Sequence, residues 1–228
     1  MKIKTILTFG AAALVVSARG QSLITNVGAL GANDQLNWSN LGPSQTTYSS
    51  PFNINSSLNN ETINVSLLSN MTFLRLDQSN GWNGNFAPGE PLLYNQGFGD
   101  IYLSFSNPLN GVGFQIQADY PGSFTATISA FDANNVYLGS VSEAGNSTFT
   151  ADNSAIFIGI ETQNISKIMI DTQSGAGSNF VIGTTYLDVA PVPEPSTLAL
   201  AGLGGVGLLA FRLRKLNLFK QQQIKTKP

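Results

Sequence analysis

From Ile101 onward the chain alternates apolar and polar residues at period two, the pattern of half-buried strands, and this constrains its fold more than any other feature. Ile101, Leu103 and Phe105 share one face. Val112, Phe114 and Ile116 repeat the pattern beyond Asn107-Pro108-Leu109-Asn110-Gly111, which reads as a turn-rich joint. Phe124, Ala126, Ile128 and Ala130 make a longer strand, and Asp132-Ala133-Asn134-Asn135 supplies the turn into Val136–Val141. Segments 155–160, 165–170 and 180–187 complete a series of seven strands, which implies an antiparallel sheet pair. From Gln21 to Gly99 the sequence is looser, rich in Asn, Ser, Thr and Gly, with strands predicted only at 23–27, 62–68 and 71–76. The expected fold is all-β: an antiparallel β-sandwich of jelly-roll type with about nine or ten strands in two sheets. A solenoid is the competing architecture, but the chain has no fixed repeat period.

The two ends read as addresses. Lys2 and Lys4, an apolar run from Ile6 to Val16 and the small residues of Val16-Ser17-Ala18 form a signal-peptide pattern, with cleavage expected after Ala18 or after Gly20. At the other end, Val189 to Pro195 reads Val-Ala-Pro-Val-Pro-Glu-Pro, an extended linker, because proline removes donors and restricts the residue before it. Thr197 to Phe211 is uninterrupted apolar and small residues, followed by Arg212, Arg214 and Lys215. As a helix it would rise about 22 Å, a minimal membrane span, and the basic cluster would hold the C-terminus on the cytoplasmic side. The organisation expected is a signal helix over 1–20, a sandwich over 21–190, and a linker, single transmembrane helix and basic tail over 191–228.

Val192-Pro193-Glu194-Pro195-Ser196, the Leu, Ala and Gly-rich apolar run and the Arg-rich stop together resemble the PEP-CTERM sorting signal of exported bacterial proteins. The resemblance implies that Pro193, Glu194 and Pro195 are the recognition triplet of an exosortase, a membrane-embedded transpeptidase-like enzyme. It also implies that the helix is a temporary inner-membrane anchor, with Arg212, Arg214 and Lys215 as its stop. The destination implied is the cell envelope or the extracellular space. The chain departs from the pattern by continuing from Leu216 to Pro228. A second resemblance, to the β-sandwich bodies common in PEP-CTERM proteins, covers Gly113 to Asp188. It rests on Phe131-Asp132-Ala133-Asn134-Asn135, Leu138-Gly139-Ser140, Phe157-Ile158-Gly159-Ile160 and Ile165-Ser166-Lys167-Ile168.

Charge follows the same division. Of the 11 basic residues only Arg75 and Lys167 lie between Arg19 and Arg212, whereas all 13 acidic residues fall between Asp34 and Glu194, so a formal charge of −2 conceals a middle at −11. Such a body should avoid nucleic acid, whose binding rests on Lys and Arg. With no Cys and no His, disulfides, thiolate nucleophiles, imidazole bases and thiol- or imidazole-held metals are excluded.

What remains for chemistry is carboxylates, amides and aromatics. Asp77, Glu90, Asp100 and Asp119 are the candidates for a paired-carboxylate hydrolase, though none is distinguished by its local sequence. Calcium is the metal that oxygen ligands alone can hold, and Asp132, Asn134 and Asn135 could supply them; an Asx turn is the preferred reading, and no cofactor or metal is expected. Asn80-Gly81-Trp82-Asn83-Gly84-Asn85-Phe86 sets two aromatics among amides. Trp82 and Phe86 would either stack on a sugar ring or, the preferred alternative, fold back as a plug over the sandwich edge. The leading expectation is a non-enzymatic cell-surface or extracellular-matrix protein. A carbohydrate module for exopolysaccharide is the alternative, and a carboxylate-dependent glycoside hydrolase comes third.

Overall fold

The computed structural model describes residues 20–68, 71–97, 99–174 and 179–190. The expected signal peptide and transmembrane segment lie outside them. Among the described residues, no helix is long and apolar enough to cross a membrane. Eight short strands precede residue 100: β1 (Ser22–Ile24), β2 (Asp34–Leu36), β3 (Thr46–Ser49), β4 (Phe52–Asn55), β5 (Thr62–Leu67), β6 (Thr72–Gln78), β7 (Gly81–Trp82) and β8 (Pro91–Gln96). Five long ones follow: β9 (Ile101–Ala118), β10 (Gly122–Phe131), β11 (Tyr137–Ser147), β12 (Ile156–Ser174) and β13 (Phe180–Val189). Their order along the main path is β11-β10-β12-β9-β13-β8-β6-β3, and apart from β6 with β7 the pairs are antiparallel. The fold is all-β, as the alternation predicts.

The series predicted as seven strands is five, because two expected joints are bends. Residues 107–111 do not turn the chain: β9 runs through them, pairing at Ser104 and below with one stretch of β12 and from Leu109 with another. Likewise 155–160 and 165–170 are one strand, β12, whose register against β9 shifts between Glu161 and Lys167. Turn-forming residues here make paired bulges, which bend and twist strands without ending them. Glu61 holds the bend. Its buried carboxylate accepts hydrogen bonds from Ser106 Oγ (2.8 Å), Asn107 Nδ2 (2.8 Å) and the Asn107 N–H (2.7 Å), a backbone donor that lies outside the β9 pairing registers.

Because β9 and β12 bend together, each serves two layers. The first half of β9 pairs with β5, which carries β4, and the second half pairs with β13, which leads to β8, β6 and β3. Phe52 of β4 meets Phe73 of β6 edge-on at 5.4 Å between ring centroids, so the two layers face each other. One apolar cluster draws Ile63, Leu103, Ile128 and Ile168 from one layer and Phe73, Leu93, Ile116 and Ile182 from the other, all buried. Burial of this many Ile, Leu and Phe side chains, each worth roughly 1.5–3 kcal/mol, is the main stabilising term in a chain without disulfides.

The strands missed by the sequence reading, β2, β3, β4, β7 and β8, are short; β4 alternates as Phe-Asn-Ile-Asn, but over only four residues. Polar side chains fix them instead. Trp38, fully buried after β2, donates from Nε1 to the Gly183 carbonyl at 2.8 Å, and Arg75 donates from Nε to the Trp38 carbonyl at 3.1 Å.

Candidate functional site

The loop carrying Trp82 and Phe86 is tied down at both ends by amides. Gln78 forms a two-way pair with Gly84, Nε2 to the carbonyl at 3.0 Å and the Gly84 N–H to Oε1 at 3.1 Å. Asn85, buried, donates from Nδ2 to Thr148 Oγ1 (2.8 Å) and Ser154 Oγ (2.6 Å), while its Oδ1 accepts from the Thr148 N–H (2.6 Å). Gln117 Oε1 accepts from the Asn85 N–H at 2.7 Å. The loop is thereby pressed inward. Trp82 is 8% exposed and Phe86 0%, and with Leu76, Leu92, Ala155 and Val181 they form a second apolar cluster. Of the two readings of these rings, their burial favours the preferred one, the plug, over the sugar platform. Of the amides in this motif, Asn85 holds the plug in place, with Gln78 and Gln117 from outside it.

The four candidate carboxylates have separate partners. Asp77 pairs with Arg75 Nη1 at 2.6 Å. Glu90 accepts from the Thr184 N–H (3.1 Å) and Oγ1 (2.8 Å) at the point where β13 shifts register, a role parallel to that of Glu61 on β9. Asp119 accepts from the Tyr94 hydroxyl at 2.9 Å; burial, reinforced by this carboxylate, raises the phenol above its ordinary range. Burial and then the Asp171 charge raise the Asp100 carboxyl. Asp100 accepts a longer bond, 3.4 Å, from the Tyr102 hydroxyl, so each of the four has its own partner in the fold.

Asp132 closes the β10–β11 turn as an Asx turn. Its Oδ1 accepts from the N–H groups of Asn134 and Val136, both at 2.8 Å. Lys167 Nζ lies 5.0 Å from the Phe131 ring centroid and hydrogen-bonds to Asn135 Oδ1. An ammonium already uses the amide oxygen that calcium would need. Among the described residues no group of three or more acidic side chains is placed to hold a metal.

Beside this turn opens a cleft of about 590 Å3, which the sequence did not single out. It lies where β9 and β12 bend, between Ser104 to Pro108, the 132–135 turn and Asn164 to Lys167. The usable signal was the unexpected pairing of Pro108 with a strand pattern on both sides of it.

The body's last strand ends in a clamp. Asn33 Nδ2 donates to the Val189 carbonyl and its Oδ1 accepts from the Val189 N–H, both at 2.9 Å, and the Ala190 N–H reaches the Pro108 carbonyl at 3.3 Å. Pro191, the next residue, has no N–H with which to continue such a ladder. The sorting triplet and basic stop follow it, outside the described residues.

No characterised protein matches the chain in sequence. Among solved structures it is similar to a DUF4465 family protein from Bacteroides caccae, with 12% identity and a TM-score of 0.42 over 75% of this chain and 100% of that one. The enzymatically active domain of bacteriophage CBA120 tailspike protein 4 has 12% identity and a TM-score of 0.30 over 59% of this chain and 20% of that one. PfGH50B has 11% identity and a TM-score of 0.30, over 71% and 24%. At these scores nothing about ligand or activity transfers. The family comparison is specific: the PEP-CTERM protein-sorting motif matches residues 191–215, from the first proline after the clamp to the last residue of the basic stop. The chain therefore carries a PEP-CTERM protein-sorting motif, which implies export and exosortase-dependent processing.

Proposed function

We propose that this is a non-enzymatic cell-surface or extracellular-matrix protein, a jelly-roll sandwich that the sorting tail delivers to the envelope. The leader over 1–20 directs export. The 197–211 segment then anchors the precursor in the inner membrane, Arg212, Arg214 and Lys215 stop it there, and an exosortase acts at Pro193, Glu194 and Pro195. The carrying observation is the junction: hydrogen bonds of the body run to Ala190, and the sorting motif begins at Pro191. Because the motif starts after β13, the strand pairs of the described body lie wholly outside it. The non-enzymatic reading draws support from the commitment of Asp77, Glu90 and Asp119 to structural partners.

The test is the fate of Glu194→Ala in cells containing an exosortase. The wild-type chain should be processed to a shorter envelope or extracellular form, and the variant should accumulate as a membrane-bound precursor. Equal processing of the two, or a cytoplasmic wild-type protein, refutes the reading.

A further inference from the structure

We propose that the cleft at the β9–β12 bend binds a neutral saccharide. The inference deepens the reading of the body as an outward-facing surface domain and rests on it for its setting, but its argument comes from the lining. Three strands place one row of side chains across the sheet: Phe131, Lys167 and Ser104 are direct neighbours on β10, β12 and β9. Tyr137, opposite Phe131 on β11, extends the row with a ring 57% exposed and 5.8 Å from that of Phe131. The bulges then turn further polar groups toward the same space. Asn135 and Asn164 both hold left-handed backbone, at φ 59° and 64°, and both line the cleft. Paired bulges and left-handed residues are devices that re-aim side chains beside a site.

The lining's chemistry selects the ligand. Asn134 and Asn164 offer amides that both donate and accept, Asn135 keeps its Nδ2 donors beside the Oδ1 that Lys167 holds, Ser104 offers a hydroxyl, and Lys167 keeps two of its three donors beyond that bond. Asp132 adds a carboxylate, so the charges of Lys167 and Asp132 cancel within the cleft. Dense mixed donors and acceptors, apolar contact from Pro108 and Ala133, and no net charge suit a polyol ring rather than an ion or an apolar molecule. The acidic body around the cleft, with two basic residues against twelve acidic between Asp34 and Asp188, repels polyanions. A neutral sugar polymer meets no such barrier.

The test uses the full chain in detergent, titrated with neutral glucan, mannan and galactan oligosaccharides alongside polygalacturonate and alginate. At least one neutral oligosaccharide should bind. Lys167→Met, which keeps the stem over Phe131 and removes the donors, should weaken it roughly tenfold or more. Asn164→Gly, which tolerates the left-handed backbone, should also weaken it while shifting the melting temperature by less than about 3 °C. No neutral saccharide binding by the wild type, binding unchanged in both variants, or preference for the uronate polymers overturns the proposal. Export of the same variants, followed in cells, separates the two readings. Cleft variants should be exported and processed like wild type, and a wild type that binds saccharide yet is not exported defeats the sorting account alone.

Discussion

Asp34 should be the most costly acidic residue to remove, because its buried carboxylate organises a loop single-handedly. It accepts from the N–H groups of Gln35 (2.7 Å), Leu58 (2.9 Å) and Asn59 (3.0 Å) and from the hydroxyl of Ser56, whose Oγ in turn accepts from the Glu61 N–H at 2.8 Å. Asp34→Ala strands all four donors. Water reaches those of the exposed residues Leu58 and Asn59 but not the buried Ser56. At roughly 1–3 kcal/mol per donor left unmet inside the protein, with the exposed ones discounted, the loss is about 3 kcal/mol. Asp34→Asn keeps part of the acceptor capacity and should lose about half as much.

The pH dependence gives a sharper test. Burial alone would raise this carboxyl and is the largest single influence, but the hydrogen bonds from Ser56, Leu58, Gln35 and Asn59 together outweigh it, so the folded value lies below the ordinary 3.8. The unfolded state therefore binds the proton more readily. Stability from this group is complete above 3.8 and is lost as pH falls through the folded value. Urea unfolding of wild type and Asp34→Asn, followed by the fluorescence of the buried Trp38 and Trp82, should show a constant gap between pH 7 and about pH 5 that closes on further acidification. A loss below about 1 kcal/mol for Asp34→Ala, or a gap that does not change with pH, would refute this reasoning.

Other perturbations have definite signs. Trp82→Ala should cost about 3–5 kcal/mol in chemical unfolding, as expected for emptying a packed apolar cluster, whereas an exposed binding residue would cost almost nothing. Asn33→Ala should cost about 1–2 kcal/mol and increase hydrogen exchange at Val189 and Ala190 selectively, since both arms of the clamp are lost. Burial, then the Glu161 charge, raise the Asp188 carboxyl, the reverse of Asp34. The folded state holds that proton more readily, so stability falls as pH rises from 3.8 through the raised value; Asp188→Asn should remove that decline in a pH series of melting temperatures.

The second half of the fold was legible because its strands are half-buried. Ile101, Leu103, Val112, Phe114 and Ile116 are all fully buried, as their alternation requires. What period-two reading could not supply was the difference between a turn and a bulge. Asn107-Pro108-Leu109-Asn110-Gly111 has the composition of either, and the choice depends on Glu61, more than forty residues away in sequence, satisfying the freed groups. The first half was less legible because long-range polar contacts, such as Trp38 to Gly183, fix its strands. Trp82 and Phe86 show the same limit: aromatics among amides favour a plug without excluding a sugar platform, and it is the partners at Thr148 and Ser154 that hold the loop inward. The sorting motif over 191–215 was legible because it is a linear signal whose meaning needs no fold.

The central claim is that the chain is exported and its tail is an address removed on arrival. Intact mass measurement of the surface or released form tests it most directly. The account predicts a chain lacking both the leader and the segment from Arg212 to Pro228, with the body through Ala190 retained. A surface form that still carries Arg212 to Pro228 would contradict it.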